Sequence, residues 1–221
     1  MTFPTATETG GTNAASTSHD LSLPAFDAGD LIIVKAETPS NPTHTWTFDA
    51  ATDKFTQLWS QDTSVSVSRE VCKYRIMQAG DGSTLTIGLG SSRALTYSII
   101  KVTGWHGTQA PECATAAAGY SNNIDPPSVT ASWGSGDNLF IACCMTQDRA
   151  ITVATPGDYT AFDNHGSDAN GYERQAYRQL ASDTSNPGNF TATGNSRYVT
   201  NTIVVRPVEP SKARSYGYIT T

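Results

Sequence analysis

An all-β, jelly-roll-like β-sandwich with internal pseudo-duplication and extended N- and C-terminal arms is the fold this sequence predicts. Three observations carry that reading. No segment shows a sustained apolar period near 3.6 residues, so helices have no face to bury. Short alternating or wholly apolar runs, bounded by Gly, Pro, Asn and Asp, recur along the chain. Several landmarks also return at a nearly constant distance.

The repeat is clearest at Ala28-Gly-Asp-Leu-Ile-Ile-Val-Lys-Ala-Glu37, echoed by Gly136-Asp-Asn-Leu-Phe-Ile-Ala-Cys-Cys144. Each opens on a Gly-Asp turn and continues as a run buried on both faces. Tyr74-Arg75 returns as Tyr177-Arg178, and Ser92-Arg93 as Ser196-Arg197, each Arg standing six residues before Ile99 or Ile203. The offsets are 107 for Gly29 and Gly136, 103 for the tyrosines and 104 for the second arginines. Leu31–Val34 and Leu139–Ala142 are therefore expected in equivalent central positions.

Residues 1–20, rich in Thr, Ala, Gly and Ser, read as an N-terminal arm. The sandwich spans 21–206, with halves at about 21–104 and 127–206. In the first half, strands are expected at 45–48, 55–59 and 64–76, then at 85–89 and 95–102. Gly80-Asp-Gly82 reads as a hairpin turn. A phase slip between Ile99 and Ile100 predicts a bulge or burial on both sides. Residues 104–127 form a long irregular link, in which Ala114–Ala118 has the composition for one helical turn. In the second half, strands are expected at 129–133, 139–145, 151–154, 159–162, 172–180, 190–193 and 198–206. Residues 207–221 read as a C-terminal arm.

Charged residues make up 15% of the chain, below the usual share of about 25%, and Thr, Ser, Gly and Asn take their place. Hydroxyls on exposed strand positions suit a sandwich. A net charge of −6 argues against binding nucleic acid through phosphate contacts. No apolar run approaches the roughly 20 residues needed to span a bilayer, and Met1–Glu8 has no basic or apolar leader, so neither membrane insertion nor secretion by a cleaved signal is expected. Cys72, Cys113, Cys143 and Cys144 lack any C-x-x-C spacing and read as free thiols, with a Cys72–Cys143 bridge as the alternative.

The constellations that carry chemistry are missing. His19, His44, His106 and His165 are scattered, with no metal-ligand spacing, and read as exposed loop residues. There is no Gly-x-Ser-x-Gly, no Gly-x-Gly-x-x-Gly and no P-loop. Asp158, Asp163 and Asp168 match no EF-hand spacing. No catalytic residue, metal ligand or cofactor is expected. Trp46, Trp59, Trp105 and Trp133 offer indole faces to a glycan, or serve as core.

Leu21-Ser-Leu-Pro24, Ala28–Val34, Phe55-Thr-Gln-Leu-Trp59, Lys73-Tyr-Arg-Ile-Met77 with Gly80-Asp-Gly82, and Pro126-Pro-Ser-Val129 with Gly136–Ala142 together resemble a diffuse group of tailed-bacteriophage virion proteins. The stretch Gln78–Gly82 is one residue longer than that group's usual turn. The resemblance covers about residues 21–206. It implies a β-sandwich component of the virion with no catalytic residues to carry over. The function expected from it is head decoration, as a cement protein on the capsid surface, assembled in the host cytoplasm. The expected partners are the major capsid protein and sister subunits in a homo-oligomer such as a trimer. The alternative is a receptor- or carbohydrate-binding module of a tail fibre or baseplate. Partner contacts are expected at Phe3, Arg206, Lys212, Arg214, Tyr216 and Tyr218. Arg206, Lys212 and Arg214 against Glu209 give this tail a side-chain charge of +2 in an acidic chain.

Overall fold

A computed structural model describes residues 2–39, 45–49, 54–63, 68–147, 150–152, 156–167 and 170–209. The first half contributes β1 (Thr5–Ser22), β2 (Leu31–Thr38), β3 (Trp46–Phe48), β4 (Thr56–Asp62), β5 (Arg69–Ile76) and β6 (Thr84–Thr103). The second contributes β7 (Glu112–Cys113), β8 (Ala117–Ile124), β9 (Val129–Thr130), β10 (Asp137–Thr146), β11 (Ile151–Thr152), β12 (Thr160–Ser167), β13 (Gly171–Ala181), β14 (Thr184–Ser185) and β15 (Phe190–Val205). Every paired ladder among them is antiparallel.

The halves are topological copies. One sheet runs β1-β6-β2-β5-β4, with β3 also on β6. The other runs β11-β15-β10-β13-β12, with β7 and β8 also on β15. Thus β2 and β10 are equivalent central strands, as expected from the repeated Gly-Asp run. Register makes the match residue by residue. Ile33 lies between Tyr74 and Ile100, and Ile141 between Tyr177 and Ile203. Trp46 pairs with Leu89 as Ile151 pairs with Ala192, and Thr56 faces Tyr74 as Thr160 faces Tyr177. The small β9–β14 ladder has no counterpart among the described strands of the first half.

Alternation along the central strands creates three cores. Leu31 and Ile33 of β2 meet Leu139, Ile141 and Cys143 of β10 in a core shared by both halves. Ile32, Val34 and Ala36 turn to the first half's own core, closed by Leu21, Phe48, Leu85 and Ile87. Phe140, Ala142 and Cys144 do the same in the second half, with Ile124, Phe190 and Val204. Both faces of β2 and β10 are therefore dry, which is why their sequences lose the alternation of a half-exposed strand. At roughly 1.5–3 kcal/mol per fully buried aliphatic side chain, these strands anchor the whole molecule.

Several expectations need correction. Residues 5–20, expected within an N-terminal arm, belong to β1, which pairs with β6 from Thr5↔Thr103 to Ser22↔Thr84. Apart from Ala6, His19 and Leu21 this strand buries little and is held mainly by ladder hydrogen bonds, so its composition hides it. Ala114–Ala118 makes no helical turn: β8 begins at Ala117 and pairs with β15. β7 and β8, which lie within the expected link, pair with β15 as β1 pairs with β6. Gly80-Asp-Gly82 joins no hairpin, since β2 lies between β5 and β6. The turn is instead pinned by Asp81, which accepts from Arg75 Nε at 2.9 Å and from the Gln78 amide at 2.8 Å. Of the bulge or two-sided burial expected at Ile99 and Ile100, the structure has the second: Ile100 faces the shared core and Ile99 the first half's own core, with no register shift in the β2–β6 ladder. Ile100, not Ile99, is therefore the partner position of Ile203. The residues 210–221 of the expected C-terminal arm lie outside the described residues.

Candidate functional site

The central face of β2 begins apolar and ends charged. Leu31 and Ile33 are followed two and four residues later by Lys35 and Glu37, which alternation turns into the same joint between the halves. Opposite Glu37 on β5 stands Glu70. From the other half, β13 brings Glu173, which lies opposite Met145 of β10. All four ionisable side chains are buried, with exposures of 0–1%.

Lys35 Nζ sits 3.6 Å from Glu70 Oε1 and 3.8 Å from Glu173 Oε2, slightly beyond hydrogen-bond length from both. The Trp59 indole N–H of β4 donates to Glu70 Oε1 at 2.9 Å. Gln175 Nε2 gives Glu173 Oε2 a longer contact of 3.4 Å. Neither oxygen of Glu37 has a hydrogen-bond partner, nor do Glu70 Oε2, Glu173 Oε1 or Lys35 Nζ. Glu37 packs against the Cα of Gly171, whose φ of 80° opens β13. A second pair closes the margin, where His165 Nε2 of β12 lies 2.7 Å from Glu8 Oε1 of β1.

Burial sets the protonation of this centre. It opposes the charge on Lys35, but Glu70 and Glu173 outweigh it and hold the ammonium protonated beyond its usual range. Burial pushes the Glu173 carboxyl up to about 8, with Lys35 opposing and Glu70 and Glu8 adding to the rise. Burial also raises Glu70, against the pull of Lys35 and Trp59. Glu37 is raised well above the usual range, by burial first and then by Glu173 and Glu70. One ammonium can offset one carboxylate, so the favoured state is a single ion pair with the other two acids protonated. Among the described residues, no group of three or more His, Cys, Asp or Glu side chains is arranged to hold a metal ion. With the centre closed to solvent, its chemistry is confined to its own side chains.

The residues expected to act are elsewhere. Phe3 is half-buried, its carbonyl close to Gly104, and Arg206 is paired with Glu209. Lys212, Arg214, Tyr216 and Tyr218 lie outside the described residues. Trp59 and Trp105 are buried; the indole of Trp105 donates to the Gly29 carbonyl, and that of Trp133 to Asn138 Oδ1. The histidines do not all sit in exposed loops: His19 is buried in β1 and His165 is largely covered in β12, while His44 lies outside the described residues. The four cysteines are free thiols. Cys143 and Cys144 face different cores as their adjacency requires, and burial pushes the Cys143 thiol up to about 12.

Lys35, Glu37, Glu70 and Glu173 were not singled out from the sequence, though a signal for two of them is there. Glu70-Val-Cys-Lys-Tyr-Arg75 and Glu173-Arg-Gln-Ala-Tyr-Arg178 share Glu-x-x-x-Tyr-Arg at the same 103-residue offset as their tyrosines. A duplicated glutamate inside a buried strand marks a position facing the joint. Comparison of the chain with protein families, curated proteins and solved structures yields no match.

Proposed function

We propose that this chain is a structural component of a tailed-phage virion, a decoration protein seated on the capsid exterior as a homo-oligomer. The observation that supports this reading is the inward direction of its chemistry. Four buried ionisable side chains and two of the four indoles are spent on closing the joint between two β halves. The motifs that carry the resemblance to virion proteins are the turns and strands of that architecture. Gly29 and Asp30 lead into β2, Arg75 and Asp81 pin the turn after β5, and Gly136 and Asp137 lead into β10. Each half closing as a jelly-roll-like sandwich around its own core is part of the same reading.

The contact surface follows from where the ends emerge. Phe3 lies beside Gly104, whose carbonyl accepts from the Val208 amide at 3.2 Å, while Trp105 bridges to Pro207. The first residues and the root of the basic tail thus leave from one pole. Arg206, Lys212 and Arg214 would meet an acidic surface there, with Tyr216 and Tyr218 as aromatic anchors. Deleting 208–221 and measuring recruitment to undecorated heads tests this. Loss of coating, and weaker coating by the full chain in salt, is expected. A folded truncated chain that coats at full occupancy overturns the anchoring role.

A further inference from the structure

The Lys35 centre invites a question that holding strands together does not answer. A lysine with a fully buried head is placed between two acids from different halves, and its Nζ completes a hydrogen bond with neither. Amide formation between an amine and a carboxylic acid needs these ingredients: a fixed approach, exclusion of water, and a group to carry the proton. Holding the partners in place is worth an effective molarity of roughly 10⁵–10⁸ M in favourable cases.

We propose that Lys35 Nζ condenses with the side-chain carboxyl of Glu173 to form an intramolecular isopeptide bond between β2 and β13, with Glu70 as the proton carrier. The roles follow from the surroundings. Glu70 Oε1 is fixed by the Trp59 indole N–H, a donor that favours its anion and keeps it aimed at Lys35. Glu70 is therefore the base. Glu173 has only the long contact from Gln175, and its raised pKa keeps a hydroxyl on the carbon to be attacked.

The step balances without a co-reactant. Lys35 ammonium gives one proton to Glu70 carboxylate, leaving a neutral amine and two neutral acids. The amine lone pair attacks Glu173 Cδ and a C–N bond forms. Glu70 relays the second nitrogen proton to the departing hydroxyl, the C–O bond breaks, and one water leaves. The products are a secondary amide, water and protonated Glu70, with net charge zero before and after. The bond ties the first half to the second inside their buried joint. It does not depend on the virion reading.

The test is the intact mass of the purified, denatured full chain, followed by peptide mapping. The expected result is a mass one water below that of the sequence, and a branched peptide joining Lys35 to Glu173. Lys35→Met and Glu70→Gln should each carry the full, uncondensed mass. Glu70→Gln serves as the control because it keeps the wild-type nucleophile and electrophile. Full mass in the wild type, with Lys35 and Glu173 recovered on separate linear peptides, overturns the proposal. Loss of water in Glu70→Gln, or a branch at Glu70 instead, overturns the assigned roles.

Discussion

Glu70 and Glu173 occupy the same rung of two copied sheets and converge on one lysine. Glu70 faces Glu37 across the β2–β5 ladder, Glu173 faces Met145 across β10–β13, and Lys35 lies within 4 Å of a carboxylate oxygen of each. The position of β10 that corresponds to Lys35 is Cys143, which pairs with Gln175 as Lys35 pairs with Cys72. The matching rung carries an acid in each half, and only one half supplies the cation.

In chain that has not condensed, replacing Lys35 by Met should destabilise the fold by about 3–5 kcal/mol at pH 8, because the carboxylate that paired with the ammonium is left buried without it. Most of that loss should disappear near pH 5, because burial raises both Glu70 and Glu173 and favours their neutral forms as pH falls. Chemical denaturation at the two pH values measures it. Equal destabilisation at both would count against the lysine's role as their counter-charge.

The Glu37 carboxyl gives a pH dependence of known sign. Its folded pKa is raised, so the folded chain holds a proton that the unfolded chain releases. Stability should therefore fall as pH rises from about 4.5, the unfolded value, towards the raised folded value. Glu37→Gln, which imitates the protonated acid, should flatten that part of the profile. Melting temperatures from pH 4.5 to 8.5 provide the check, and an unchanged slope in the variant would remove Glu37 as its source.

Ile33→Asp or Ile141→Asp should abolish cooperative folding, since each puts an unpaired carboxylate into the shared core at a cost of several kcal/mol. Equal severity is expected at the two sites because they are equivalent by register. Near-native melting of either variant would show that its strand is not central.

Gly171→Ala should be destabilising through two effects at one position. Its φ of 80° disfavours a side chain, and an added Cβ would collide with the Glu37 carboxylate. The companion Gly171→Ala/Glu37→Ala removes the collision and should recover part of the loss, leaving the backbone cost of about 1 kcal/mol. No recovery would place the whole effect in the backbone.

How much of this was legible beforehand depended on whether burial left a mark in the local pattern. The apolar runs of β2 and β10 announced central strands, and the 103-residue offset of Tyr74 and Tyr177 reflects a true match of register. The Ser-Arg echo was misleading: counting by the register of Ile100 and Ile203 sets Arg93 against Ser196, not Arg197. Strand β1 escaped because Thr, Ser and Gly form it through pairing with β6, and they bury little themselves. The Lys-Glu centre escaped for another reason. A charge in a strand ordinarily means a face turned to water, and Lys35 and Glu37 are inside only because a second sheet covers that face.

The lone cation has a consequence for how the halves recognise each other. Two first halves facing each other would bring two copies each of Lys35, Glu37 and Glu70 into one dry joint. Two second halves would bring paired Glu173 side chains with no lysine at all. Only the mixed pairing sets a single ammonium among the acids, so halves supplied as separate polypeptides should sort themselves into unlike pairs. The two sheets are alike in topology, and one unshared lysine makes them non-interchangeable.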